Sequence, residues 1–269
     1  FRAPQRMMQQ YTVTAGGLVA AVGVTISDPF VSIIGAVSNV TLSPTSTITI
    51  SSNFVGCVRV LRACRVSILT RLAHRLSGLI FRGGQGVLVG LNLVGVQLAN
   101  CTFSRMTASS GSALMIQFGS SVTANAVTFS SCTARSSLTL KTPNFDLPNT
   151  GGAVIVGFAT AEFTNCVFSS NVAATAGGAI SALSSTVTLR SCQFLQNRVS
   201  SDGGAIYALQ SIVNIVGGSM QNNTVTASAG GFGGAVYLTG STLSVTQRAR
   251  FAFNSANSGG GLFLLSSSG

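Results

Sequence analysis

Acidic residues are nearly missing: four Asp and Glu stand against 15 Lys and Arg in 269 residues. Lysine and histidine occur once each, proline five times, and tryptophan not at all. Charged residues make up 7% of the chain, against about 25% in ordinary soluble domains. The surface must therefore be built from Ser, Thr, Asn, Gln and Gly. That composition suits an extracellular β-rich protein better than a cytosolic enzyme. The shortage of acids also bears on catalysis. Sugar-cleaving chemistry on polysaccharides needs clustered carboxylates, as acid–base pairs or calcium ligands. Asp28, Asp146, Glu162 and Asp202 offer no convergent pair. His74 is alone and flanked by arginine, which argues against both a Ser–His–Asp triad and a zinc site. No C-x-x-C pair occurs. A non-catalytic protein without a cofactor or metal is expected.

Long hydrophobic runs are missing too. None reaches the roughly 18 residues of a membrane-spanning helix. The stretch GGLVAAVGVTI (16–26) is short, broken by glycine and followed by Asp28-Pro29. It reads as buried strands rather than as a signal-peptide core. The formal charge is +11, a balance that invites a nucleic-acid reading. The excess comes from the dearth of acids as much as from bases, so no nucleic-acid partner is expected. Six of the 14 arginines cluster, however: Arg59, Arg62, Arg65, Arg71, Arg75 and Arg82. These are the candidates for contact with polyanions such as acidic surface glycans.

What the chain has in abundance is repetition. Gly151-Gly152-Ala153-Val154 returns as Gly177-Gly178-Ala179-Ile180, Gly203-Gly204-Ala205-Ile206 and Gly233-Gly234-Ala235-Val236. Looser copies start at Gly111 and Gly259, and the intervals are 40, 26, 26, 30 and 26 residues. The unit is 26 residues, with insertions in the longer intervals. Each unit continues with alternating runs. Ile180/Ala182 and Ile206/Ala208 face one way, and Ser181 and Tyr207 the other. A second run follows (Val187/Leu189, Val213/Ile215), then a third step ending in F-x-x-N, as in CVFSSN (166–171) and CQFLQN (192–197). Period-two alternation means strands. Matching positions in every unit predict an all-β fold, a right-handed parallel β-helix (β-solenoid) with coils of about 26 residues. One coil cannot bury its apolar face alone, whereas a stack can. The glycines are expected at sharp turns with positive φ, and the small alanines where neighbouring coils approach. The terminal Asn is expected in a left-handed turn, its side chain hydrogen-bonding along the stack.

Alternating G-G-A-[ILV] and F-x-x-N resembles the repeats of the chlamydial polymorphic outer-membrane proteins, of pectin-lyase-like shape. Strict matches cover 151–254, and FSSC (129–132) and FSRM (103–106) are variants. The resemblance implies a β-helical passenger exposed at a cell surface, often adhesive, and brings no catalytic residue. The family's C-terminal membrane barrel has no counterpart in this sequence.

A single β-solenoid over 1–269 is expected, with 83–269 as regular coils and 1–82 as weakly matching early coils or a cap. Residues 58–82 also fit an amphipathic helix, with Leu61, Ile68, Leu72, Leu76 and Leu79 against Arg62, Arg71 and Arg75; early coils are the favoured reading. Loop insertions are expected near 138–150, which holds two prolines, and near 224–232. Cys101, Cys166 and Cys192 share one phase of the repeat and are expected as buried free thiols. The Cys166–Cys192 spacing would tolerate a disulfide. Cys57 and Cys64 are the disulfide candidates if the protein is secreted. Asn39, Asn100 and Asn222 head N-x-T sequons and are the glycosylation candidates. Tyr207, Tyr237 and Phe263 form an outward column that either holds sugar rings or supports the sheet. The first residue is Phe, and the last stretch, GGGLFLLSSSG, stops just after a strand has begun. Further coils, or a second copy stacked end to end, are the expected partners. The combined reading is a non-catalytic, secreted or cell-surface structural or adhesive β-helix. A carbohydrate-active β-helical enzyme and a polyanion binder acting through residues 59–82 are the alternatives.

Overall fold

The computed structural model describes residues 94–108, 111–135, 151–227 and 230–269 in full. It also describes the Phe81 side chain, the backbone of short strands between residues 10 and 89, and two strands within 140–147. Among the described residues every regular element is a β-strand. Successive coils lie in register as a parallel β-solenoid.

Each regular coil contributes strands to three parallel sheets and a narrow strip. A ten-stranded glycine sheet takes the strand after each glycine pair, including Val154–Gly157, Ile180–Leu183 and Ile206–Leu209. An eight-stranded threonine sheet takes the next, including Thr160–Thr164 and Thr186–Arg190. A nine-stranded phenylalanine sheet takes the third, including Val167–Ser169 and Gln193–Leu195. The strip adds two-residue strands such as Val172–Ala173 and Arg198–Val199. This fourth strand escapes sequence reading, because two residues are too few to show alternation.

The N-terminal strands join the same sheets. Leu61–Arg62 and Ile80–Arg82 pair in the phenylalanine sheet, Arg65–Ile68 in the glycine sheet and Arg75–Ser77 in the threonine sheet. The amphipathic-helix alternative for 58–82 is thereby overturned. Leu61, Ile68 and Leu76 lie on three consecutive strands, one in each of the three sheets, instead of on one helical face. Within 138–150, Leu140–Thr142 and Phe145–Leu147 form an antiparallel pair that sets Lys141 opposite Asp146. The second insertion begins later than 224. Thr224–Val225 is a strip strand in register with Arg198–Val199, so the added residues follow it.

Inward residues repeat by type. Ile180 pairs with Ile206, and Ala182 with Ala208. Phe81, Phe103, Phe129, Phe168 and Phe194 form one buried stack, with ring centroids 4.5, 5.2, 4.8 and 4.6 Å apart and planes within 7° of parallel. Phe163, from the threonine sheet, meets Phe129 and Phe168 edge-on. Offset stacks of this kind add to the burial of the rings themselves. Met220 continues the column after Phe194, so the cavity accepts a flexible thioether. Phe194→Met is therefore expected to cost less than about 1.5 kcal/mol, checked by denaturant unfolding followed by far-UV circular dichroism.

Corners between strands use single left-handed residues. One column is Ser170, Gln196 and Asn222, with φ of 53°, 55° and 55°. The expectation placed the Asn of F-x-x-N in this conformation; the structure places the residue before it there. Asn171, Asn197 and Asn223 are instead buried and form a ladder. Asn171 Nδ2 and N both donate to Asn197 Oδ1, at 2.9 and 3.1 Å. Asn197 repeats this with Asn223 (2.9 and 3.0 Å), and Asn223 with Asn254 (2.9 and 3.0 Å). Cys132, in FSSC, heads the ladder by donating its N–H to Asn171 Oδ1. A second ladder, of serines, lies at the corner leading into the threonine sheet. Ser211, Ser241 and Ser267 Oγ accept from the backbone N–H of Ser185, Ser211 and Ser241, at 3.1, 2.9 and 3.0 Å.

Candidate functional site

Among the described side chains, the carboxylates of Glu162 and Asp202 lie apart, on different parts of the coil. Glu162 lies on the threonine sheet and accepts a 2.7 Å hydrogen bond from Arg190 Nε, an exposed ion pair of modest worth. Asp202 lies at the glycine corner. Its Oδ1 accepts from Phe232 N at 3.1 Å and its Oδ2 from Ser201 Oγ at 2.7 Å. No group of three or more His, Cys, Asp and Glu capable of holding a metal occurs among the described residues.

Beside Asp202 runs the aromatic column. Tyr207 stacks on Tyr237 at 5.3 Å, and Tyr237 on Phe263 at 5.7 Å. Phe232, from the loop before the glycine pair, packs at 4.6 Å against Phe263 and at 6.2 Å against Tyr237. In the same outward column Ile155 is 2% and Tyr237 9% exposed. The column is thus a second apolar layer for much of its length, not an open platform. The loop residues Ala176, Asp202, Phe232 and Ser258 stack as their own bridge-linked column, which one strand's alternation could not reveal. Burial, then Tyr237 and then the Asp202 carboxylate, push the Tyr207 phenol up to about 12, so it stays a neutral hydrogen-bonding group.

An open groove of about 410 Å³ follows the corner between the glycine and threonine sheets. Val94, Phe158 and Ile212 supply its apolar surface, and Ser184, Thr186 and Gln210 its polar groups. No ionisable side chain lines it, so it offers contact surface without a general acid or base.

The four basic candidates on described strands are spread over the three sheets. Arg62 and Arg82 are register partners on the phenylalanine sheet, Arg65 lies opposite Thr47 on the glycine sheet, and Arg75 lies between Val55 and Gln97 on the threonine sheet. Arg59 and Arg71 lie outside the described residues, as do Asn39, Cys57 and Cys64. Asn100 and Asn222 are exposed and occupy left-handed corners, with φ of 51° and 55°. Cys132, Cys166 and Cys192 are buried free thiols, and Cys101 is buried as well.

Residues 165–183 and 191–209 match the Chlamydia polymorphic membrane protein repeat. The two matches start 26 residues apart. Each runs from the corner before the phenylalanine sheet, through the Asn rung and the glycine pair, into the glycine sheet. No curated protein and no solved structure matches the chain.

Proposed function

We propose that this chain is a non-catalytic structural or adhesive part of a secreted or cell-surface protein. The observation that carries the reading is the way the repeat uses its residues. Inward positions go into packing and ladders, and the outward faces of the threonine and phenylalanine sheets recur from coil to coil as long, weakly charged strips rich in hydroxyl and amide groups. Such faces suit extended contact with a partner more than chemistry at a point. The match to a repeat of membrane proteins supports a place at a surface or outer membrane. The carbohydrate-active alternative has less behind it, since Glu162 is engaged by Arg190 and Asp202 by Phe232 and Ser201.

The test is topological. Antibodies raised against the purified chain are expected to label intact, unpermeabilised source cells or their extracellular material. Protease added to intact cells is expected to remove that signal. Labelling that appears only after permeabilisation would refute the proposal.

A further inference from the structure

The residue just before each strand of the phenylalanine sheet forms a column: Cys101, Val127, Cys166, Cys192, Gly218 and Ala249. Among these, only Cys166 and Cys192 put cysteines on successive rungs. Their strands are in register, and Gln193 N donates to Cys166 O at 2.9 Å. Strands so paired lie about 4.8 Å apart, within the Cα separation of roughly 4.4–6.8 Å that a disulfide takes. Both side chains point inward, Cys166 fully buried and Cys192 3% exposed.

The two thiols also influence each other's ionisation: their mutual interaction lowers the Cys166 thiol from its ordinary value, and the same interaction, with burial, raises that of Cys192. The pair therefore releases a first proton more readily than a second. Their polar contacts are to carbonyls: Cys166 Sγ donates to Thr164 O at 3.3 Å and Ala124 O at 3.5 Å, and Cys192 Sγ to Phe163 O at 3.3 Å and Arg190 O at 3.5 Å. Cys132 differs. It occupies the asparagine column, and burial pushes its thiol up to about 11.

We infer that Cys166 and Cys192 form a cross-linking site, closing to a disulfide that staples one turn of the solenoid to the next. The oxidant is a low-molecular-weight disulfide, and the reaction takes place while the coil is winding, because the finished coil buries both sulfurs. The Cys166 thiolate attacks one sulfur of R–S–S–R, forming a mixed disulfide and expelling RS⁻. Cys192 gives its proton to RS⁻ and attacks the Cys166 sulfur, which expels the second RS⁻; that thiolate takes up the proton first released by Cys166. The protein gives up two electrons and two protons, and the oxidant leaves as two RSH. Packing then shields the bond from reductants. The inference rests on coil geometry and stands apart from where the protein resides.

Refolding the reduced, unfolded chain in a buffer of glutathione and its disulfide tests this directly. After acid quenching, alkylation and digestion, mass spectrometry is expected to find a peptide joining Cys166 to Cys192, two hydrogens lighter than its parts. This link is expected to outnumber any that involves Cys101 or Cys132, and to survive millimolar dithiothreitol until denaturant is added. The oxidised chain is expected to melt about 6–12 °C above the reduced one. The Cys192→Ala variant, tolerated because Ala249 already occupies this column, is expected to lose both the link and the melting difference. Separate alkylation of both cysteines after oxidative refolding, preferential links to other cysteines, or a melting difference retained in Cys192→Ala would overturn the inference.

Discussion

Gly204→Ala is expected to remove at least about 4 kcal/mol of stability, enough to threaten folding of the coils around it. A Cβ on Gly204 would lie 2.0 Å from the carbonyl oxygen of Gly234 and 2.9 Å from Thr224 N. Both obstacles are backbone, and the ladder holds them: Gly204 N donates to Gly233 O and Ala205 N to Ala235 O, each at 2.9 Å. Making room means parting the coils and stretching those bonds. The same clash recurs along the stack, from Gly152 to Gly178 O and from Gly178 to Gly204 O, each at 2.1 Å. The first glycine of the pair serves a different purpose. Gly203 has φ of 68°, which other residues resist. Gly261→Ala is the control. It stands where other coils carry Ala205 and Ala235, and a Cβ there meets nothing within 4 Å. Its cost is expected to be near zero. Guanidinium unfolding of both variants, followed by far-UV circular dichroism, separates steric from compositional effects.

Asn197→Ala is expected to cost about 3–5 kcal/mol, because it strips partners from four buried groups at once. Asn171 N and Nδ2 lose their acceptor. Phe168 O loses a 2.9 Å donor, and Asn223 Oδ1 loses one of the two N–H groups it accepts. Alanine leaves a polar hollow, and a water bound there would restore part of the loss. Asn254→Ala, on a partly exposed rung, is expected to cost about 1–2 kcal/mol, since solvent can satisfy the bereft Asn223 donors. Equal costs at the two positions would mean that the ladder's burial contributes nothing. Denaturant titration of the two variants beside the parent chain measures the difference.

A 26-residue repeat, read from glycine to glycine, determined much of this protein without reference to any structure. When Ile180, Ile206, Phe168 and Phe194 recur at one phase, stacking is the only arrangement that buries them all, so register and core follow from sequence. The mutual stacking of the asparagines was legible for the same reason: identical residues at identical phase meet their own kind. Their backbone conformation was not. Where the chain turns left-handed depends on which carbonyl the next coil must reach, and that shifted the corner to Ser170, Gln196 and Asn222. The serine ladder hid among turn residues, where serine is ordinary. The Glu162–Arg190 pair joins different positions of neighbouring strands, so no column predicts it. The outward column from Ile155 to Phe263 looked solvent-facing because alternation reports only which side of its own strand a residue takes. Whether that side meets water is decided by what else packs there, at Tyr237 and Phe263 the ring of Phe232. Periodicity fixes who stacks on whom, whereas corners, coverings and cross-column contacts depend on the distances between chain segments that only the folded coil sets.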